Sequence, residues 1–123
     1  MMVIKYYRDL TIWKDSIELV TRVYELTRKL PQYENYGLSS QLQRAAVSIP
    51  SNIAEGHARK TNKEFNRFLS ISLGSLAELE TQMTITEKLL YLSSDEVQNI
   101  LERTSKIGKM IRNLQKKVMA GNQ

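Results

Sequence analysis

Between Leu10 and Val118 the apolar residues return every third or fourth position in four separate blocks, and no stretch alternates apolar with polar residues long enough to form a convincing β-strand. That property confines the chain to helices packed on helices. Turn and capping chemistry separates the blocks. Pro31 stops the first, because proline cannot continue a helix comfortably and disfavours helical geometry in the residue before it. The connector PQYENYG, residues 31–37, leads into a second block that opens near Leu38 or Ser39 and reaches Ala58. Thr61 with Glu64, and Ser93 with Glu96, have the capping-box spacing in which each side chain satisfies a backbone N–H of the other residue. Asp95 adds a favourable charge to the first turn of the fourth helix. The sequence therefore predicts helices over about 10–30, 38–58, 62–91 and 94–118. Helices of roughly 20 to 30 residues are about 30 to 45 Å long at 1.5 Å per residue. Joints this short make neighbours antiparallel, so the expected fold is all-α, an antiparallel up-down-up-down four-helix bundle. A chain of 123 residues has room for one such domain, residues 1–123.

The first block carries two apolar seams. Leu10, Trp13, Ile17, Val20 and Tyr24 form one; Ile12, Leu19, Val23, Leu26 and Leu30 form another, displaced around the helix. A bundle helix needs only one, so the other is either a subunit interface or the flank of a broad core face. In the third block Phe65, Phe68, Leu69, Leu76, Leu79, Met83 and Leu90 are expected inside. Gly74 interrupts that helix at about 1 kcal/mol relative to alanine, which is tolerable if another backbone approaches closely. The inward face of the fourth block is Val97, Ile100, Leu101, Thr104, Ile107, Met110, Ile111, Leu114 and Val118. Its AGNQ tail is expected to fray.

The second block holds RAAVSIPSNIAEG, a helical stretch with a proline at its centre. On a helical wheel Leu38, Leu42, Ala45, Ala46, Ile49, Ile53 and Gly56 form a core stripe. Gln41, Arg44, Ser48, Ser51, Asn52, Glu55 and Arg59 lie nearly opposite, with a small ridge of Val47, Pro50 and Ala54 between. Pro50 lacks the N–H that would bond the Ala46 carbonyl, so a kink is expected, along with a neighbouring donor for that carbonyl. The polar arc is either a solvated face with ordinary pairs such as Glu55 and Arg59, or a close polar interface with another subunit.

Catalysis and metal binding find little support. Cysteine is absent, which excludes disulfides and thiolate sites. His57 is the single histidine and has Ala54 three residues before it, so the di-metal Glu-x-x-His pattern of helical bundles cannot be built. Near a helix end His57 is expected to be solvated. Glu78 and Glu80 are two apart and face different ways. No phosphate-cradling glycine loop occurs. No enzymatic activity, cofactor or small-molecule substrate is expected. The first residues, with charges at Lys5, Arg8, Asp9, Lys14 and Asp15, lack an apolar signal region, and no apolar run approaches the roughly 20 residues of a membrane span. The expected setting is cytoplasmic, away from membranes. The formal charge of +5 favours encounter with polyanions, and Arg103, Lys106, Lys109, Arg112, Lys116 and Lys117 on the fourth helix are the candidate nucleic-acid contacts. The same cations also suit a helix C-terminus and solubility.

Longer motifs carry a family resemblance. YGLSSQLQRAAVSIPSNIAEG, followed by KEFNRFLSISLGSLAELETQM and preceded by LTIWKDSIELVTRVYEL and LPQYENYGL, resembles the bacterial four-helix bundle family first noticed in proteins encoded within intervening sequences of 23S ribosomal RNA genes. The resemblance covers about residues 6–118. That family is similar in fold to the accessory variability determinant of diversity-generating retroelements, a pentameric barrel that binds reverse transcriptase and nucleic acid. The resemblance implies a homopentamer and no known enzymatic activity. It places the family pattern on Gln41, Arg44, Ala45, Ser48, Ile49, Asn52, Ile53, Ala54, Glu55 and Gly56, and on Phe65, Phe68, Leu69, Gly74, Ser75, Leu76, Glu78 and Leu79. Two functions follow as expectations: an oligomeric scaffold that engages RNA or a nucleic-acid-handling protein through basic surface, or a protein-interaction module with no nucleic-acid role. The expected subunit interface or polar cluster is Gln41, Arg44, Ser48, Asn52, Glu55, Arg59 and Glu78.

Overall fold

A computed structural model describes residues 6–121, which leaves Lys5 and the Asn122–Gln123 part of the AGNQ tail outside the described residues. Four helices are present: α1 (Thr11–Thr27), α2 (Leu38–His57), α3 (Asn62–Lys88) and α4 (Ser94–Ala120). Single 3-10 turns precede α1 at Tyr7–Asp9 and α2 at Gln32–Glu34, and no strand occurs among the described residues. Each helix packs on two neighbours, α1 on α2 and α4, α3 on α2 and α4. Side-chain pairings fix the directions. Ser48 meets Ser75 while Gly56 meets Phe65 and Phe68, so α2 and α3 run antiparallel. Thr104 meets Glu80 while Asn62 meets Val118, which reverses α4 against α3. The arrangement is the expected antiparallel four-helix bundle.

One continuous core fills the centre, with Leu19, Leu42, Ile49, Ile53, Leu69, Leu79, Met83, Ile100, Ile107 and Ile111 fully enclosed. The two seams of α1 differ in depth, and Leu26 of the one, like Leu10, Trp13 and Val20 of the other, is half-buried against the core. Ile12, Leu19, Val23 and Leu30 are buried in that core, while Ile17 and Tyr24 of the other seam are exposed. The core stripe of α2 is buried throughout, from Leu38 to Gly56.

Helix ends show where local chemistry beats periodicity. At Ser93 both halves of the capping box form, with the Glu96 N–H donating to Ser93 Oγ (3.1 Å) and the Ser93 N–H donating to Glu96 Oε1 (2.9 Å). At Thr61 one half forms, the Glu64 N–H donating to Thr61 Oγ1 at 3.1 Å. Glu34 Oε1 accepts the Leu38 N–H at 3.0 Å and so closes the start of α2 from the preceding turn. The predicted reach of the first helix to residue 30 and of the third to residue 91 is too long. After Thr27 the chain tightens, the Lys29 N–H bonding the Leu26 carbonyl (3.0 Å) and the Leu30 N–H the Thr27 carbonyl (3.1 Å). After Lys88 it closes in a Schellman motif, with Leu90 N–H to Glu87 carbonyl and Tyr91 N–H to Thr86 carbonyl, each 3.0 Å. Leu90 occupies the left-handed position, φ 64°, and is 88% exposed, not part of the core as the periodicity suggests.

Three further expectations change. α2 stays helical through Pro50, which is buried, and the nearby donor is Ser72 Oγ, which bonds the Ile49 carbonyl at 3.0 Å instead of that of Ala46. The close backbone approach belongs to Gly56, where an added Cβ would lie 2.5 Å from Phe68 Cβ; at Gly74 such an atom meets nothing within 4 Å. His57 is half-buried, edge-on to Tyr7 (6.4 Å) and Phe65 (5.9 Å).

Candidate functional site

The polar arc of α2 is divided by the packing of α3. Ser48 Oγ and Ser75 Oγ are 2.8 Å apart, and Asn52 Nδ2 donates to the Ser48 carbonyl (2.8 Å) and to Ser48 Oγ (2.9 Å). Ser48 and Asn52 are half-buried in that seam, so their hydrogen bonds are made within the chain. Gln41, Arg44, Ser51, Glu55 and Arg59 remain exposed on α2 and just beyond it, as does Glu78 on α3. Glu55 and Arg59 form the expected i,i+4 pair at 3.2 Å.

Beside the arc lies an apolar groove between α1 and α2. Tyr7, Trp13, Ile17 and Val20 line one wall, and Val47, Pro50, Ser51 and Ala54 the other. Ile17 and Val47 are each more than a third exposed (38% and 39%), a β-branched pair facing water on adjoining helices. The ridge of the α2 wheel and the outer seam of α1 thus form one surface.

The cations of α4 meet different surroundings along the helix. Arg103 turns to α1 and to its own helix, 3.9 Å from the Glu18 carboxylate and with Nε donating to Asn99 Oδ1 at 3.3 Å. Lys106 lines the groove between α1 and α4 with Asp15, Glu18 and Glu102. Lys109 and Arg112 are exposed farther along, and Lys116 and Lys117 reach the end of the bundle. There the α2–α3 turn meets them: Asn62 Nδ2 donates to the Val118 carbonyl (3.1 Å), and Gln115 Nε2 donates to the Asn66 carbonyl (3.3 Å) and Ser70 Oγ (2.9 Å). This brings Arg59, Lys60, Lys63 and Arg67 to the same pole as Lys116 and Lys117, all exposed. Lys60, Lys63 and Arg67 are absent from the sequence-based candidates, although the basic run ARKTNKEFNR marks them. The guanidinium carbons of Arg59 and Arg67 lie 4.8 and 4.6 Å from the centre of the buried Phe68 ring.

The opposite pole is of mixed charge and aromatic, with Arg28, Lys29 and Lys88 beside its carboxylates. Glu34, Glu87, Asp95 and Glu96 collect there with exposed Tyr33, Tyr36, Leu89 and Leu90. The Tyr91 hydroxyl donates to Glu34 Oε2 at 3.0 Å and lies 3.1 Å from the Tyr33 hydroxyl. The Tyr33 hydrogen bond, then desolvation and the Glu34 carboxylate, hold the Tyr91 phenol protonated well above its usual range. Lys29 pairs with Glu96, and that bond, followed by the one from the Ser93 N–H, holds the Glu96 carboxyl below the ordinary glutamate value. Among the described residues no group of three or more His, Cys, Asp or Glu side chains is placed to hold a metal ion, and no helix is long and apolar enough to cross a membrane.

Comparison with known proteins places this geometry. A family model described as 23S rRNA-intervening sequence protein matches residues 8–113. A crystal structure of a protein of unknown function from the S23 ribosomal protein family of Bacteroides thetaiotaomicron VPI-5482 has the same fold, with a TM-score of 0.80. The two chains are 22% identical, over 86% of this chain and 99% of that one. No curated protein matches the chain. Neither match indicates an enzymatic family.

Proposed function

Since the chain belongs to the family of 23S rRNA-intervening sequence proteins, we propose that it is a non-enzymatic, self-associating helical scaffold that engages RNA, or a protein that handles RNA, through its basic surface. The observation that carries self-association is the apolar groove of α1 and α2, where Ile17 and Val47 face water beside half-buried Trp13 and Val20. A homopentamer is the form suggested by the likeness to the accessory variability determinant. The basic surface runs from the pole of Arg59 and Lys60 along α4 through Lys116, Arg112 and Lys109, with Lys106 and Arg103 at its margin. Cations ranged along a helical bundle suit the phosphate backbone, whose binding is electrostatic and salt-dependent.

Light scattering tests the assembly. At micromolar concentration the wild type is expected to be an oligomer and the double substitution Ile17→Glu, Val47→Glu a folded monomer; a monomeric wild type would sink self-association. A filter-binding titration with structured RNA at two salt concentrations tests the second half, and affinity weaker than about millimolar or indifferent to salt removes it. The opposite, aromatic pole favours a second reading. Tyr33, Tyr36 and Leu90 stand exposed there, an aromatic and apolar surface that suits a protein. A nuclease-resistant protein partner recovered without RNA would support an interaction module with no nucleic-acid role.

A further inference from the structure

We infer that the RNA-contacting element is the pole where the α2–α3 turn meets the end of α4, and that Arg59 and Arg67, both seated on Phe68, grip backbone phosphates there without reading base sequence. The inference rests on the RNA-binding reading above and adds to it a location and a mode.

The charge is unevenly spread along the bundle axis. Arg59, Lys60, Lys63, Arg67, Lys116 and Lys117 crowd one pole with Asp9, Glu55 and Glu64 as the nearby carboxylates, while at the other Glu34, Glu87, Asp95 and Glu96 are interspersed with Arg28, Lys29 and Lys88. A polyanion approaching the molecule is drawn more strongly to the first end than to the second. Within the first end two guanidinium groups are held in place before any ligand arrives. Phe68 is buried with its Cβ seated against Gly56, and both arginines rest on its ring within 5 Å of its centre (4.8 and 4.6 Å). An arginine resting on a buried ring has fewer rotamers open to it, and its planar fork matches two phosphate oxygens. The Glu55 partner of Arg59 is an exposed pair at 3.2 Å, weak enough for a phosphate to displace. The aromatic ring of this cluster is buried beneath the arginines, which leaves it unavailable for stacking on bases. Contacts of this kind fix position on the backbone and carry no sequence information.

The test uses fluorescence anisotropy with labelled single-stranded RNA oligonucleotides of two unrelated sequences, at several salt concentrations, on the full chain. The expected result is equal affinity for both sequences. Arg59→Gln with Arg67→Gln should weaken binding at least tenfold and make the slope of log K against log salt shallower by about 1.4, two phosphates at about 0.7 each. Arg59→Lys with Arg67→Lys should keep most of the slope but lose affinity, because lysine supplies charge without the fork. Arg28→Gln with Lys88→Gln removes the same charge from the opposite pole and should change affinity less than twofold; all variants are checked for unchanged helical melting. Equal losses in the two glutamine pairs would overturn the location. Tight binding of polyglutamate, comparable to RNA, would overturn the phosphate grip. A wild type that binds no RNA fails the parent reading itself, a result distinct from either.

Discussion

Two glycines on neighbouring helices behave oppositely once their surroundings are known. At Gly56 a Cβ would lie 2.5 Å from Phe68 Cβ and 3.1 Å from Phe65 Cδ1, both on buried side chains of α3. Gly56→Ala is therefore expected to lose about 1–3 kcal/mol to overpacking, more than alanine's helix propensity returns. At Gly74 the space is open, and Gly74→Ala should add about 1 kcal/mol. Urea denaturation of the two variants checks the pair; a destabilised Gly74→Ala would show that something else packs on that face. Leu90 gives a third case. A branched side chain in the left-handed region costs about 1–2 kcal/mol and this one is exposed, so Leu90→Gly should raise stability by about 1 kcal/mol. The sequence marks Gly74 as an oddity and places Gly56 on the core stripe. It does not say which backbone is approached, because that depends on which helix lies opposite.

At the scale of the element, caps and seams differ in how much the chain declares. The Ser93–Glu96 box is local, visible in four consecutive residues, and forms as expected. Lys29, sixty-seven residues away, then adds its charge to Glu96. Because the Glu96 carboxyl is held below its unfolded value, its stabilising effect is complete above the ordinary glutamate range and is lost as pH falls through the lowered value. Wild type and Glu96→Gln should thus differ in melting temperature at neutral pH and converge in acid; a difference that persists unchanged at pH 2 would contradict the linkage. The α2–α3 seam is the harder case. Ser48, Asn52, Ser72 and Ser75 bond across or along it, yet a wheel sorts residues only by hydrophobicity and sends Ser48 and Asn52 to the outside. Short polar groups can be buried wherever they satisfy one another, and only the facing helix reveals that they do.

For the whole molecule, the apolar groove and the charge gradient are properties of the assembled bundle. Ile17 and Val47 come from helices separated by a connector, and the basic pole draws on the ends of α2, α3 and α4. If the groove closes between copies, folding and association are linked by mass action, and the melting temperature should rise with protein concentration. Differential scanning calorimetry over a hundredfold concentration range checks this, and a constant value for wild type would contradict it. The same measurement on Ile17→Glu, Val47→Glu should show no concentration dependence.

By itself the sequence determined the four helices, their starts at Thr61 and Ser93, the core stripes and the all-α bundle, because periodicity and capping act over a few neighbouring residues. It also exposed the doubled seam of α1 without saying which half is core. Tertiary structure decided that Leu19 and Val23 go in while Ile17 and Tyr24 stay out, that α3 takes Ser48 and Asn52 from the polar arc, and that Arg59 and Arg67 meet on Phe68. Those outcomes depend on which helices become neighbours and in what register, contacts between residues far apart in the chain that no local pattern encodes.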